Sequence, residues 1–134
     1  MATSIVKYLG NLRTSCTHVQ SGTVIHTDAP IDNNGKGEKF SPTDLVATAY
    51  ASCLLTIIGI YCQEHGYLFE KGEATVTKIM ASSPRRIGEL QITIDLSGNG
   101  WDAPTAEKII RAGKACPVAK SVHADMEIEM TFNV

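Results

Sequence analysis

Four cysteines carry most of the chemistry this sequence offers: Cys16, Cys53, Cys62 and Cys116. Thiols serve as metal ligands, as disulfide partners or as nucleophiles, and spacing separates these uses. No CxxC pair is present, and no ligand spacing joins the cysteines to His18, His26, His65 or His123, so neither a metal nor a cofactor is expected. Cys116 lies between two predicted helices, directly before Pro117, where it can cap the second. A helix N-terminus stabilises a thiolate, and Lys114 and Lys120 add positive charge nearby. The plainer reading is a buried linker residue that only packs. Cys53 falls mid-helix with Ala49, Tyr50, Thr56 and Ile57 as helical neighbours, a mostly apolar face. Taken alone it reads as a small core residue, and its reactivity requires a cation brought from elsewhere. Cys62 stands two and a half turns further on and points to a different side; it and Cys16 read as structural. Arg85 and Arg86 sit at a hairpin tip and are expected in solvent, which leaves Arg13 to be placed.

Around these residues the chain reads as a βββ–α–ββ–α–α–β order. Residues 3–9, 12–19 and 22–28 are Val-, Ile- and Thr-rich pieces separated by Gly10-Asn11 and Ser21-Gly22. Residues 32–37 form a polar loop. Ser41-Pro42-Thr43-Asp44 then opens a helix, with Ser41 as cap, Pro42 in the first turn and Asp44 against the dipole. It runs to about His65 and stops at Gly66. Residues 69–82 and 87–96 are two strands joined by a turn at Ser83-Pro84-Arg85-Arg86. A helix is predicted over 103–115, a second short one over 117–122, and a half-buried strand over 125–133. Segregated strands and helices make an α+β class with antiparallel sheet, in one domain spanning residues 1–134.

Composition bounds the setting. With 43% hydrophobic and 19% charged residues the chain reads as a soluble globular domain, and a net charge of -2 gives no reason to expect nucleic acid or anionic membrane as a partner. Residues 1–10 lack the pattern of a signal peptide, so a cytoplasmic location is expected. Residues 45–62 (LVATAYASCLLTIIGIYC) hold no charge and approach the length of a membrane span. Thr48, Ser52, Thr56 and the alanines dilute that stretch, which favours a helix buried in a core. So small a monomer can hardly cover such a helix, and an oligomer is expected.

The segment from Ser41 to Cys53 (SPTDLVATAYASC), together with Ala115-Cys116-Pro117-Val118-Ala119-Lys120, resembles the OsmC/Ohr family, the osmotically inducible and organic-hydroperoxide-resistance proteins. That resemblance covers nearly the whole chain. It implies an OsmC-like fold: an intertwined homodimer with sheets wrapped around long central helices and two active sites at the interface. It implies a thiol-dependent peroxidase acting on organic hydroperoxides, with Cys53 as peroxidatic and Cys116 as resolving cysteine. An external dithiol would be the reductant. It also implies an Arg from the N-terminal strands, which maps to Arg13, and a Glu directly after the Pro of the helix opening. Here that position is Thr43. Asp44 is adjacent, but one residue along a helix turns a side chain by about 100 degrees, and Glu38 is another acid within reach of the role. The departure at Thr43 keeps a second reading in play: a non-enzymatic redox-responsive or ligand-binding stress protein.

Overall fold

The computed structural model describes residues 1–134. Its elements are β1 (Ser4–Gly10), β2 (Arg13–His18), β3 (Val24–Asp28), α1 (Pro42–His65), β4 (Glu73–Ala81), β5 (Arg86–Asp95), α2 (Ala103–Lys114) and β6 (Glu127–Asn133). They fall into two compact units, Met1–Val46 and Ala47–Val134.

The first unit is a three-stranded antiparallel sheet in the order β1-β2-β3. Its strands are joined by short turns that use positive φ at Gly10, Asn11 and Leu12, and at Gly22. The β2–β3 loop closes at His18 and Thr23, where the His18 N–H donates to the Thr23 carbonyl at 2.8 Å. That register sets Arg13 opposite Asp28. The strands are apolar yet open to solvent: Ile5, Val6, Tyr8, Leu9, Val24 and Ile25 are each between 46% and 67% exposed. Ile5 and Val6 are adjacent and project to opposite faces, so both faces of the sheet present apolar surface.

The helix α1 begins as its sequence predicts. The Asp44 N–H donates to Ser41 Oγ at 3.1 Å, and the Ser41 N–H donates back to Asp44 Oδ2 at 2.9 Å, a reciprocal cap. Gly66, at φ 73°, ends the helix. Ala47, Tyr50, Ala51, Leu54, Ile58 and Cys62 form its buried stripe, at helical spacing. By length and hydropathy α1 is apolar enough to cross a membrane, but a third of that stretch is already buried within the chain. The expected all-round burial is thus a buried stripe with an open side, on which Val46 and Ile60 are exposed.

In the second unit Leu54, Ile58 and Cys62 pack into one core with Leu90, Ile92 and Ile94 of β5, with Leu96, and with Ile109 of α2. Strand β5 alternates strictly over Leu90–Asp95, buried then exposed, as a strand with one covered face must. Its sheet has the order β4-β5-β6, and here the expectation of an all-antiparallel sheet is corrected: β6 runs parallel to β5, with Leu90 beside Ile128 and Ile94 beside Phe132. Alternating polarity reports which face of a strand is covered and carries no information on its direction. The parallel pair requires a long crossover, which runs from Leu96 to Met126 and contains α2. Asn99, buried, ties its start: Oδ1 accepts from the Glu70 and Lys71 amides, and Nδ2 donates to the Lys71 and Leu96 carbonyls. Asp102 caps α2 through the Thr105 amide at 2.9 Å.

Candidate functional site: a thiol pair and an anchored arginine

Two helices bring Cys53 and Cys116 together. A Cβ added at Gly113 would sit 2.8 Å from Ile58 Cγ1 and 3.6 Å from Leu54 Cγ, so α2 lies against α1 at a distance only glycine permits. Three residues beyond this contact the chain leaves α2, and Cys116, fully buried, meets α1 at Cys53. The two thiols are near enough for Cys53 to act on the ionisation of Cys116. Both are free, as are Cys16 and Cys62. Cys62 is buried in the core on the other side of the helix, as its spacing predicts.

The predicted helix over 117–122 is corrected to a run of turns. Its backbone bonds are mixed, with Lys120 N–H to Cys116 O at 3.3 Å and Ser121 N–H to Val118 O at 2.9 Å. The capping part of that expectation does hold: the Ala119 N–H donates to Cys116 Sγ at 3.4 Å. It does not make Cys116 acidic. Burial pushes its thiol above the ordinary value and the neighbouring Cys53 adds to the rise, against the smaller opposing effect of the Ala119 and Val118 amides. Cys116 is therefore a protonated thiol at neutral pH.

Tyr50 is a member of this site that the cysteine motif does not announce. It lies three residues before Cys53, on the same side of α1, and is 4% exposed. Burial raises its phenol, and charge on Cys116 and on Cys53 raises it further, which sets the hydroxyl within electrostatic range of both sulfurs. The only signal for it in the sequence is its helical spacing.

The remaining expected residues, Arg13 and Asp44, belong to the first unit. Arg13 donates from Nε to Asp28 Oδ1 at 2.6 Å and from Nη2 to Asp28 Oδ2 at 2.8 Å, a bidentate pair; Nη2 also donates to Glu38 Oε1 at 2.8 Å. The Asp28 carboxylate is fully buried, and the Glu38 N–H donates to its Oδ2 at 3.2 Å. The Arg13 guanidinium holds Asp28 at about 2, well below the usual carboxylate range, against the opposing effect of burial. The arginine in turn is driven still further from deprotonation, first by Asp28 and then by Glu38. Asp44 is engaged in the cap of α1. Arg86 is at the exposed hairpin tip, as expected, and donates to the Ser82 and Pro84 carbonyls.

A depressed Asp28 contributes stability that is present above the carboxylate's unfolded value of about 3.9 and is lost as pH falls through about 2. The melting temperature is therefore expected to drop between about pH 4 and pH 2, and Asp28→Asn to flatten that part of the curve. Thermal unfolding followed by circular dichroism across this range checks it. An unchanged acid limb in Asp28→Asn would show that the clamp does not couple folding to pH.

Residues 35–131 match the family profile described as OsmC-like protein. The chain belongs to the OsmC-like protein family. A solved structure from Psychrobacter arcticus, named provisionally as an osmotic stress induced and detoxification response protein, is 47% identical, with a TM-score of 0.93 over 99% of this chain and 96% of that one. An organic hydroperoxide resistance protein from Legionella pneumophila is 17% identical with a TM-score of 0.78 over 100% of this chain and 98% of that one, a likeness of fold. In sequence, the chain is 24% identical over 94 residues to an organic hydroperoxide resistance protein-like relative from Mycoplasma genitalium, covering 69% of this chain and 67% of that protein. The mixed α+β OsmC-like architecture, with two sheets and a long helix, is thereby the family's own.

Proposed function

We propose that this OsmC-like protein is a thiol-dependent peroxidase for organic hydroperoxides. The observation that carries the reading is the pair of neighbouring free thiols, one of them fully buried. The Cys53 thiolate attacks the terminal peroxide oxygen. The O–O bond breaks, the alkoxide leaves and takes a proton as the alcohol, and Cys53 becomes a sulfenic acid. The Cys116 thiol then displaces the sulfenic hydroxyl, giving an intramolecular disulfide and water. An external dithiol, such as a reducing cytoplasm keeps available, exchanges with this disulfide and returns both thiols while being oxidised itself. The apolar surroundings of Cys53 on α1 favour a hydrophobic hydroperoxide over hydrogen peroxide. The test is to mix reduced protein with cumene hydroperoxide and count thiols: two are lost per protein, and the Cys53–Cys116 peptide appears by mass spectrometry without reduction. Thiol counts that stay constant favour the second reading, a non-enzymatic stress protein, for which Thr43 in place of the family's acid speaks.

The working unit in this proposal is a homodimer. The support is the uncovered apolar surface on both faces of the first sheet and on the open side of α1. Sedimentation is expected to give twice the chain mass of 14.4 kDa, and the tyrosine Tyr8→Glu variant, at 67% exposure on β1, to shift it toward monomer. A wild type that sediments as a monomer refutes the dimer.

A further inference from the structure

We propose that Tyr50 is the general acid of this site: its hydroxyl gives the proton that turns the leaving alkoxide into an alcohol. The proposal rests on the peroxidase reading of Cys53 and Cys116. Breaking the O–O bond calls for a proton that Cys53, entering as a thiolate, does not have.

Tyr50, Cys53 and Cys116 all lie within the unit Ala47–Val134. Tyr50 and Cys53 are three residues apart on α1, so their Cβ atoms are neighbours at about 5–6 Å. Helical side chains lean toward the helix N-terminus, and the Cys53 thiol therefore leans over the turn that carries Tyr50. Tyr50 belongs to the buried stripe of α1 and is 4% exposed. Its hydroxyl has no hydrogen-bond partner in the protein, yet it is not sealed in, since no fully enclosed side-chain oxygen or nitrogen is left without one. A phenol buried to this extent keeps its hydroxyl for a group from outside the fold. Charge on either sulfur acts on that hydroxyl, and burial keeps it protonated at neutral pH.

The other proton carriers of this unit are engaged elsewhere. His65 lies twelve residues beyond Cys53 on α1, about 18 Å along the axis, and stacks on Tyr61 with ring centroids 4.0 Å apart. His123 is exposed and accepts the Asp125 N–H at 3.0 Å. Lys114 sits over the Phe132 ring. Besides Cys53, the groups that act on Cys116 are the backbone amides of Ala119 and Val118, which orient a sulfur and release no proton.

The proton balance closes through both sulfurs. The Cys53 thiolate takes the terminal OH of the hydroperoxide as the O–O bond breaks; the sulfur is oxidised and the peroxide reduced. The departing alkoxide, a much stronger base than a phenolate, takes the Tyr50 hydrogen. The Tyr50 phenolate then takes the hydrogen of Cys116. The Cys116 thiolate so formed attacks the Cys53 sulfur, the S–O bond breaks, and hydroxide leaves and becomes water with a proton from solvent. Tyr50 is a phenol again, and the two thiols have become a disulfide.

The experiment varies the leaving group. Reduced full-length wild type, Tyr50→Phe and the control Tyr61→Phe each react in a single turnover with cumene hydroperoxide, whose alkoxide needs a proton, and with 3-chloroperoxybenzoic acid, whose carboxylate leaves without one. Quenched samples give the rate of peroxide loss. Tyr50→Phe is expected to slow cumene hydroperoxide by about 10²-fold and to leave the peroxyacid within about twofold of wild type. Tyr61→Phe is expected to match wild type on both. Equal slowing on the two substrates reduces Tyr50 to packing and overturns the proposal, as does an unchanged rate on cumene hydroperoxide. Should Tyr50→Phe fail to fold, wild type alone decides. Across hydroperoxides of graded leaving-group acidity its rates are expected to vary far less than those of free dithiothreitol, and an equally steep dependence overturns the proposal. A wild type that consumes neither peroxide removes the peroxidase reading itself, an outcome distinct from all of these.

Discussion

Cys53→Ser is expected to abolish hydroperoxide consumption, with the rate falling by at least about 10³-fold because the attacking atom itself is removed. Cys116→Ser has a different signature. Its Cys53 still attacks, so one equivalent of hydroperoxide is consumed in a burst, but no disulfide forms and the sulfenic acid accumulates. A dimedone adduct on Cys53, seen in Cys116→Ser and faint in wild type, reports that intermediate. Cys62→Ser is expected to cycle as wild type does, since Cys62 is packed in the core on another side of α1. The burst assay and adduct mass check all three. Full turnover by Cys53→Ser would assign the chemistry to another residue.

Leu54→Ala is expected to cost about 2–5 kcal/mol, the range for emptying a fully buried leucine site. Leu54 has no exposed surface, belongs to the central cluster, and lies beside the Gly113 contact. Removing its side chain leaves a void under the place where α2 crosses α1, and helices rarely collapse enough to fill one. Chemical denaturation gives the free energy. A loss below 1 kcal/mol would mean that this core repacks freely. Since Cys53 precedes Leu54 directly, Cys53–Cys116 disulfide formation is also expected to slow in this variant.

The limits of α1 are written in local chemistry, and the sequence expresses them fully: Ser41 and Asp44 cap each other, and Gly66 supplies the left-handed stop. The strands were legible for the same reason, through alternation and turn residues. What could not be read depends on partners distant in the chain. Arg13 finds Asp28 only because the β2–β3 loop closes at His18 and Thr23. Ser21-Gly22 marks where the chain turns but does not fix which residues of β2 and β3 face each other. The direction of β6 is invisible because a parallel and an antiparallel strand alternate alike. The 117–122 segment has helical composition, but Cys116 Sγ and mixed turn bonds take the amides a helix needs. The acidity expected for Cys116 fails because capping one amide is worth less than complete burial.

The parallel pairing of β6 with β5 bears on when the thiol pair can exist. Cys116 travels on the Leu96–Met126 crossover, whose far end is fastened only when Glu127–Asn133 docks beside β5. Those residues leave the ribosome after the segment that carries Cys116. Until they arrive, the segment carrying Cys116 hangs from one end, while Cys16, Cys53 and Cys62 have already been made. A nascent chain exposed to oxidant at that stage has the wrong thiols within reach of one another, and loop closure favours the nearer partners. In the proposed cycle, pairing of Cys53 with Cys116 is a property of the finished sheet, so such a cycle calls for maturation of the chain under reducing conditions.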